Sequence, residues 1–216
     1  MANDEPTPPI RPVKRDAAAT KERVLKAGLF EFGSKGYGGA RTAAIAKRAK
    51  CNIRMLYHYF GGKQGLYIAC LERVYSKIRA EEQKLNLKEL EPLAGIERLV
   101  KFTFDHMIKN PDFVYLAGVE NTQRGKFIKK LPQVANAAGT LINTISDILK
   151  QGADDGVLKD EIDAFQLYVS ILSLSYLHLS NRHTISLTYG MKLDDEAWLS
   201  DRRNHVVELI LAYVRA

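Results

Sequence analysis

The chain has 216 residues, a formal net charge of +7 and 46% hydrophobic residues, which is enough to bury a sizeable core and excludes a disordered or fibrous composition. No apolar run reaches the ~18–20 residues of a membrane span, and the start lacks the apolar middle of a secretory signal, so the cytoplasm is the expected location, with no membrane partner. Two cysteines, Cys51 and Cys70, with no Cys-x-x-Cys or Cys/His grouping, exclude a disulfide framework and a zinc site, and nothing in the sequence asks for a cofactor.

The charge is uneven. Residues 1–65 hold 13 Lys or Arg against 5 Asp or Glu, and the remainder is close to neutral. A basic end suits a polyanion, and nucleic acid fits better than a membrane surface because no basic helix with a broad apolar face lies there.

In chain order, residues 1–15 read as an extended arm, with Pro6, Pro8, Pro9 and Pro12 among polar residues. Arg11, Lys14 and Arg15 either touch DNA from it or simply keep it soluble. From Asp16 to Gly36, Val24, Leu25, Leu29 and Phe32 follow helical spacing, with glycine closing the segment. A short helix follows, with Thr42 as N-cap, Ile45, Ala46 and Ala49 inside, and alanines small enough to let another helix approach. The turn falls at Lys50-Cys51-Asn52, where Asn52 is a second cap. The next helix runs from Ile53 to Phe60 with Leu56 and Phe60 inward and Ile53, Arg54, Met55, Tyr57 and His58 outward. Gly61 and Gly62 end it, and Lys63 opens a helix to about Leu85. Two short helices at an abrupt turn in a basic region are the layout of a DNA-binding helix-turn-helix.

Beyond a boundary at residues 86–92, helical patterns run over about 93–109, 112–124, 131–152, 162–181 and 196–214, separated by Asn110-Pro111, Gly125, Gly152 to Gly156 and Thr188 to Gly190. The expected fold is therefore all-α, with about nine helices: an arm (1–15), a three-helix DNA-binding module with a linking helix (16–85), and a larger helical bundle for ligand binding and dimerisation (86–216).

The last two long helices are apolar around most of their circumference. Either both are central core helices of a monomer, or their surplus face meets a second copy in an isologous dimer, with Leu172, Leu179, Trp198, Val206, Ile210 and Tyr213 as interface candidates. Phe104, Met107, Tyr115, Gln123, Arg124, Tyr168, Tyr176 and His178 are candidates for a small-molecule pocket, although each alone also reads as an ordinary core group. No G-x-S-x-G, phosphate-binding glycine loop or H-E-x-x-H is present, so no catalytic residue is assigned.

Thr42, Ile45 and Ala46, the run Leu-Tyr-His-Tyr-Phe at 56–60, Lys63, and Phe30, Phe32, Gly33, Gly36 and Tyr37 upstream closely resemble the N-terminal domain of TetR-family (TetR/AcrR) transcriptional regulators. Lys50 departs from the pattern, since many members have glycine there. Residues 110–128 and 178–190 look, more loosely, like the branch that includes the pyrimidine-responsive regulator RutR.

The resemblance implies phosphate contacts from Thr42, Tyr57 and Lys63 and groove contacts from Ile53, Arg54 and Met55, with Arg41, Ala43 and His58 beside them. It also implies a homodimer on a palindromic double-stranded operator, usually acting as a repressor, and a small-molecule effector whose identity it does not carry. The alternatives are a regulator without an effector and a helical protein-binding adaptor; the adaptor would leave the basic end unexplained.

Overall fold

The computed structural model describes residues 14–216, with side chains from residue 17 onward; the proline-rich segment and the contacts expected from Arg11, Lys14 and Arg15 lie outside the described side chains. Ten α-helices follow in order: α1 (Lys14–Gly39), α2 (Thr42–Arg48), α3 (Ile53–Phe60), α4 (Lys63–Gln83), α5 (Pro92–Lys109), α6 (Pro111–Thr122), α7 (Pro132–Asp154), α8 (Ala164–Ser180), α9 (Arg182–Tyr189) and α10 (Glu196–Val214). Single 3-10 turns occupy Leu87–Glu89 and Ile128–Lys130. Among the described residues no helix is long and apolar enough to cross a membrane.

The chain forms two compact units that divide between Ala69 and Cys70, inside α4 and earlier than the boundary expected at 86–92. The second half of α4 belongs to the larger unit because its side chains are engaged there. Tyr75 packs edge-on against Phe113 and the Lys77 ammonium meets Asn110 Oδ1 at 2.5 Å.

In the first unit, α1 carries Val24 and Phe32 into a core completed by Ile45 of α2, Leu56 of α3, and Leu66 and Tyr67 of α4, all fully buried. Burying each such side chain contributes roughly 1.5–3 kcal/mol. Phe32 meets the Tyr67 ring edge-on at 4.9 Å, and Tyr37 lies 5.0 Å from Tyr67. The regular course of α1 breaks at Gly36 (φ 66°, ψ 174°), the glycine at which the sequence pattern closes.

In the second unit, α5 lies at the centre and packs against α7, α8 and α10. Ile96, Leu99, Val100 and Phe104 of α5 share one core with Ile145 of α7, Ile171 of α8, and Val206, Ile210 and Val214 of α10. Proline opens α5, α6 and α7 at the first turn, where its missing N–H costs no helical bond. Asp163 and Asp195 cap α8 and α10, accepting from Gln166 N at 2.6 Å and from Ala197 N at 3.0 Å. The Arg203 guanidinium grips the Asp105 carboxylate at 2.7 and 2.9 Å, tying α10 to α5.

Two expectations are corrected here. The segment from Arg182 to Tyr189 is a tenth helix, not part of a connection. It buries none of its own side chains, so it carries no apolar stripe to read. Val206 and Ile210, expected at a dimer face, are buried in the chain's own core.

Candidate nucleic-acid interface and sensing unit

The helix-turn-helix is held by local bonds. Cys51 N donates to Ala46 O at 3.1 Å and Lys50 N to Lys47 O at 3.2 Å, the paired pattern of a Schellman helix end, with Lys50 in the left-handed position at φ 51°. A lysine accepts there what glycine accepts freely, at about 1–2 kcal/mol. Arg23 of α1 donates from Nε to Ala49 O at 3.2 Å, fixing the corner from the scaffold side. Asn52 caps α3 by accepting from Arg54 N at 2.9 Å, as the sequence predicts. The other expected cap is displaced: α2 starts at Thr42 itself, Arg41 occupies the cap position, and no side-chain bond closes that end.

The far end of α3 is closed by Gly61 in the left-handed region, whose N–H reaches Tyr57 O at 2.8 Å. At Gly65 a Cβ would lie 1.8 Å from Phe60 O, so the first turn of α4 passes the end of α3 at a distance only glycine permits.

These contacts leave the expected DNA-reading side chains outside. Arg41, Ala43, Ile53, Arg54, Tyr57 and His58 are exposed, and Thr42 and Met55 are half-buried. The His58 ring rests edge-on against Tyr59 at 5.2 Å. Lys63 is half-buried, its ammonium 3.2 Å from Gly38 O and 4.9 Å over the Tyr37 ring, so it is held near the end of α1.

Exposed Lys47 and Lys50 join this surface, two basic groups that motif matching alone passes over. Their signal lies in a wider window. From Phe32 to Leu71 the chain has no Asp or Glu and seven Lys or Arg, so the surface is positive without internal neutralisation.

The eight pocket candidates of the second unit are not gathered around one cavity. Met107 and Tyr115 line a cavity of about 260 Å³ with Leu179, Arg182 and Asp194, and Arg182 donates to the Tyr115 hydroxyl at 3.2 Å. Phe104 and His178 are stacked in the core, with ring centroids 5.1 Å apart and Trp198 5.5 Å from the imidazole. Burial, with the Arg202 charge second, pushes the His178 pKa down to about 4 against the opposing Leu174 carbonyl. Tyr176 donates to Val114 O at 3.2 Å, and Tyr168 joins Arg79 and Glu82 of α4.

Gln123 and Arg124 fall where α6 ends. Gln123 is the capping residue, and Arg124 is an exposed residue at φ 55°. The turn aims Arg124 at solvent, whereas the neighbouring Glu120 is buried. Glu120 Oε1 accepts from Phe127 N and Ile128 N at 2.6 and 2.9 Å. His106, also buried, meets Glu81 at 2.8 Å through Nδ1, and burial lowers its pKa.

Several apolar side chains of α8 and α10 remain uncovered: Phe165, Val169 and Leu177 on α8, and Leu209 and Tyr213 on α10. Of the interface candidates, Tyr213 is exposed and Leu172, Leu179 and Trp198 are half-buried.

A positive, rigidly capped helix-turn-helix on a helical C-terminal unit defines a DNA-binding transcriptional regulator. The chain matches the family described as "Bacterial regulatory proteins, tetR family" over residues 24–70 and "Tetracyclin repressor-like, C-terminal domain" over residues 92–210. It is 32% identical over 201 residues to the HTH-type transcriptional repressor NicS of Pseudomonas putida, covering 93% of this chain and 95% of that one. Identity to the HTH-type transcriptional regulator RutR of Escherichia coli is 23%, with 93% of each chain covered. The solved structure of the transcriptional regulator FadR from Bacillus subtilis, in complex with stearoyl-CoA, shares the fold at a TM-score of 0.67 and 16% identity, covering 88% of this chain and 97% of that one. The chain belongs to the TetR family of transcriptional regulators, and it is a DNA-binding protein of that family rather than an enzyme.

Proposed function

We propose that the protein is a homodimeric cytoplasmic repressor that sits on a palindromic operator and is released by a small molecule taken up by its C-terminal unit. The observation that carries this reading is the exposed α3, flanked by Arg41, Lys47, Lys50 and Lys63 in a stretch without a carboxylate. Arg54 is the candidate for a bidentate guanine contact. Thr42, Tyr57 and Lys63 hold phosphates, and Ile53 and Met55 lie against base edges.

One α3 reads one half-site, so a symmetric operator needs two copies with recognition helices about 34–36 Å apart. The uncovered Phe165, Val169, Leu177, Leu209 and Tyr213 supply an apolar face for an isologous pairing of α8 and α10. Repression is supported by the printed function of NicS, and an effector by the complexed state of FadR.

Footprinting of the full-length protein on its own upstream region tests the reading. A protected palindrome, a dimer by sedimentation, and loss of both in Leu177→Glu are expected. Protection of one half-site by a monomer would sink the dimeric reading.

A further inference from the structure

The C-terminal end of α4 holds a buried polar knot. Arg79 and Glu82 are 9% and 5% exposed. Arg79 Nη1 lies 2.7 Å from Glu82 Oε2, and the Tyr168 hydroxyl accepts from Arg79 Nη2 at 3.1 Å while donating to Glu82 Oε1 at 3.2 Å. The knot does not use all its bonding capacity. Arg79 Nε and Nη1 and Glu82 Oε2 make no hydrogen bond, the Nη1–Oε2 contact being one of charge without aligned donor and acceptor. Buried polar atoms of this kind are nearly always matched by protein, water or ligand.

A cavity of about 300 Å³ opens beside the knot. Its wall includes Arg79, Glu82, Asn86, Thr140, Leu141 and Thr144. That volume is at the lower end for small-molecule sites, and the mixture of apolar wall with a few polar groups is typical of them.

We propose that this cavity binds a small neutral molecule with an amide-type edge, a carbonyl oxygen beside an N–H, which bonds to Arg79 and Glu82. Two features of the knot select that chemistry. An unspent guanidinium donor beside an unspent carboxylate acceptor is complemented by an acceptor beside a donor. With both residues ionised the pair sums to zero charge, so a charged ligand enters a dry site without a counter-charge, whereas a neutral amide adds none. Burial raises the Glu82 carboxyl to about 7 against the Arg79 charge and the Tyr168 hydrogen bond, so the neutral pair is the dominant state at pH 8.

The atoms concerned are enclosed, so the ligand exchanges contacts within the knot for its own. Arg79 and Glu82 stand on the last two turns of α4, the helix in which the two units join. The proposal therefore rests on the effector reading above, and it places the ligand's grip on that helix.

The test is calorimetric titration of the full-length protein at pH 8 with four isosteres: benzamide, N,N-dimethylbenzamide, benzoate and benzamidine. Benzamide should bind saturably and each of the others about tenfold more weakly or worse, the expected loss for one bond to a charged partner. Thr140→Trp, on the exposed side of α7, leaves the knot in place and should abolish benzamide binding. Arg79→Lys keeps the charge without the planar fork and should weaken it about tenfold, with folding checked by circular dichroism.

Absence of benzamide binding, equal binding of the dimethyl compound, tighter benzoate or benzamidine binding, or unchanged binding in Thr140→Trp would each overturn the site. Operator titration with and without benzamide separates the two readings: binding with no change in operator affinity keeps the site and removes effector control through it.

Discussion

The two units handle polar groups in opposite ways. In the first, the bonds that hold the helix-turn-helix come from backbone or from short local reaches: the Asn52 cap, the Arg23 bond to Ala49 O, and the paired bonds of Lys50 and Cys51. The charged side chains of the reading surface stay in water. In the second, Arg79, Glu82, His106, Glu120, Ser175 and His178 are buried, and each retains at least one polar atom without a hydrogen bond. A surface that reads a polyanion works by presenting charge before its partner arrives, whereas a sensing interior holds unmet bonding capacity that a ligand can complete. Rigidity is built into one unit and incompleteness into the other.

The largest expected effect sharpens the first half of that contrast. Leu56→Ala should destabilise the first unit by about 2–5 kcal/mol, because the side chain is fully buried and anchors α3. Urea denaturation measures this, and a loss under about 1 kcal/mol would mean that the caps, not the core, hold α3.

Next comes the buried imidazole. The folded pKa of His178, about 4, lies below the ordinary value of 6.5. Its neutral form therefore contributes fully above pH 6.5, and stability is lost as pH falls from there toward 4. The loss is on the order of 3 kcal/mol. His178→Phe should flatten most of the slope in a pH series of melts, and the slope that survives should contain the share of His106, whose pKa is also lowered. A slope unchanged by the substitution would remove the contrast at this position.

A third effect concerns reading itself. Arg54→Ala should cost about 1–3 kcal/mol of discrimination at one base pair per half-site, while Lys63→Ala should weaken all sequences alike and lessen the salt dependence, as gel shifts over a salt series will record. Retained discrimination in Arg54→Ala would move base readout to Ile53 or Met55. The smallest effect runs the other way. Lys50→Gly relieves the left-handed strain and should stabilise the protein by up to about 1 kcal/mol in a thermal melt, though it removes one charge from the reading surface.

The sequence reads well wherever physical chemistry acts over a few residues. The Asn52 cap, the Gly61 stop, the Asn110-Pro111 break and the span of α10 follow from capping and breaking rules, and the structure agrees with them. Thr42 misleads because a good capping residue stands one position inside the helix it was expected to cap. α9 escapes notice because β-branched Thr184, Ile185 and Thr188 favour helix weakly and no buried face imposes a period. Val206 and Ile210 cannot be told from interface residues by pattern, since a core and a partner subunit are equally apolar. Arg79 and Glu82 read as solvated charges on a linking helix. Only packing reveals that Tyr168, far along the chain, closes over them.

The close passage of Gly65 against the Phe60 carbonyl has a consequence for how this regulator can change over time. The angle at which α4 leaves α3 is set by backbone meeting backbone, with no side chain in between. Ile53, Arg54 and Tyr57 stand on the exposed side of α3 and take no part in that joint. Operator preference can therefore drift one substitution at a time on the outer face of α3 while the frame that carries it keeps its shape, so a new DNA sequence can be acquired without rebuilding the reader.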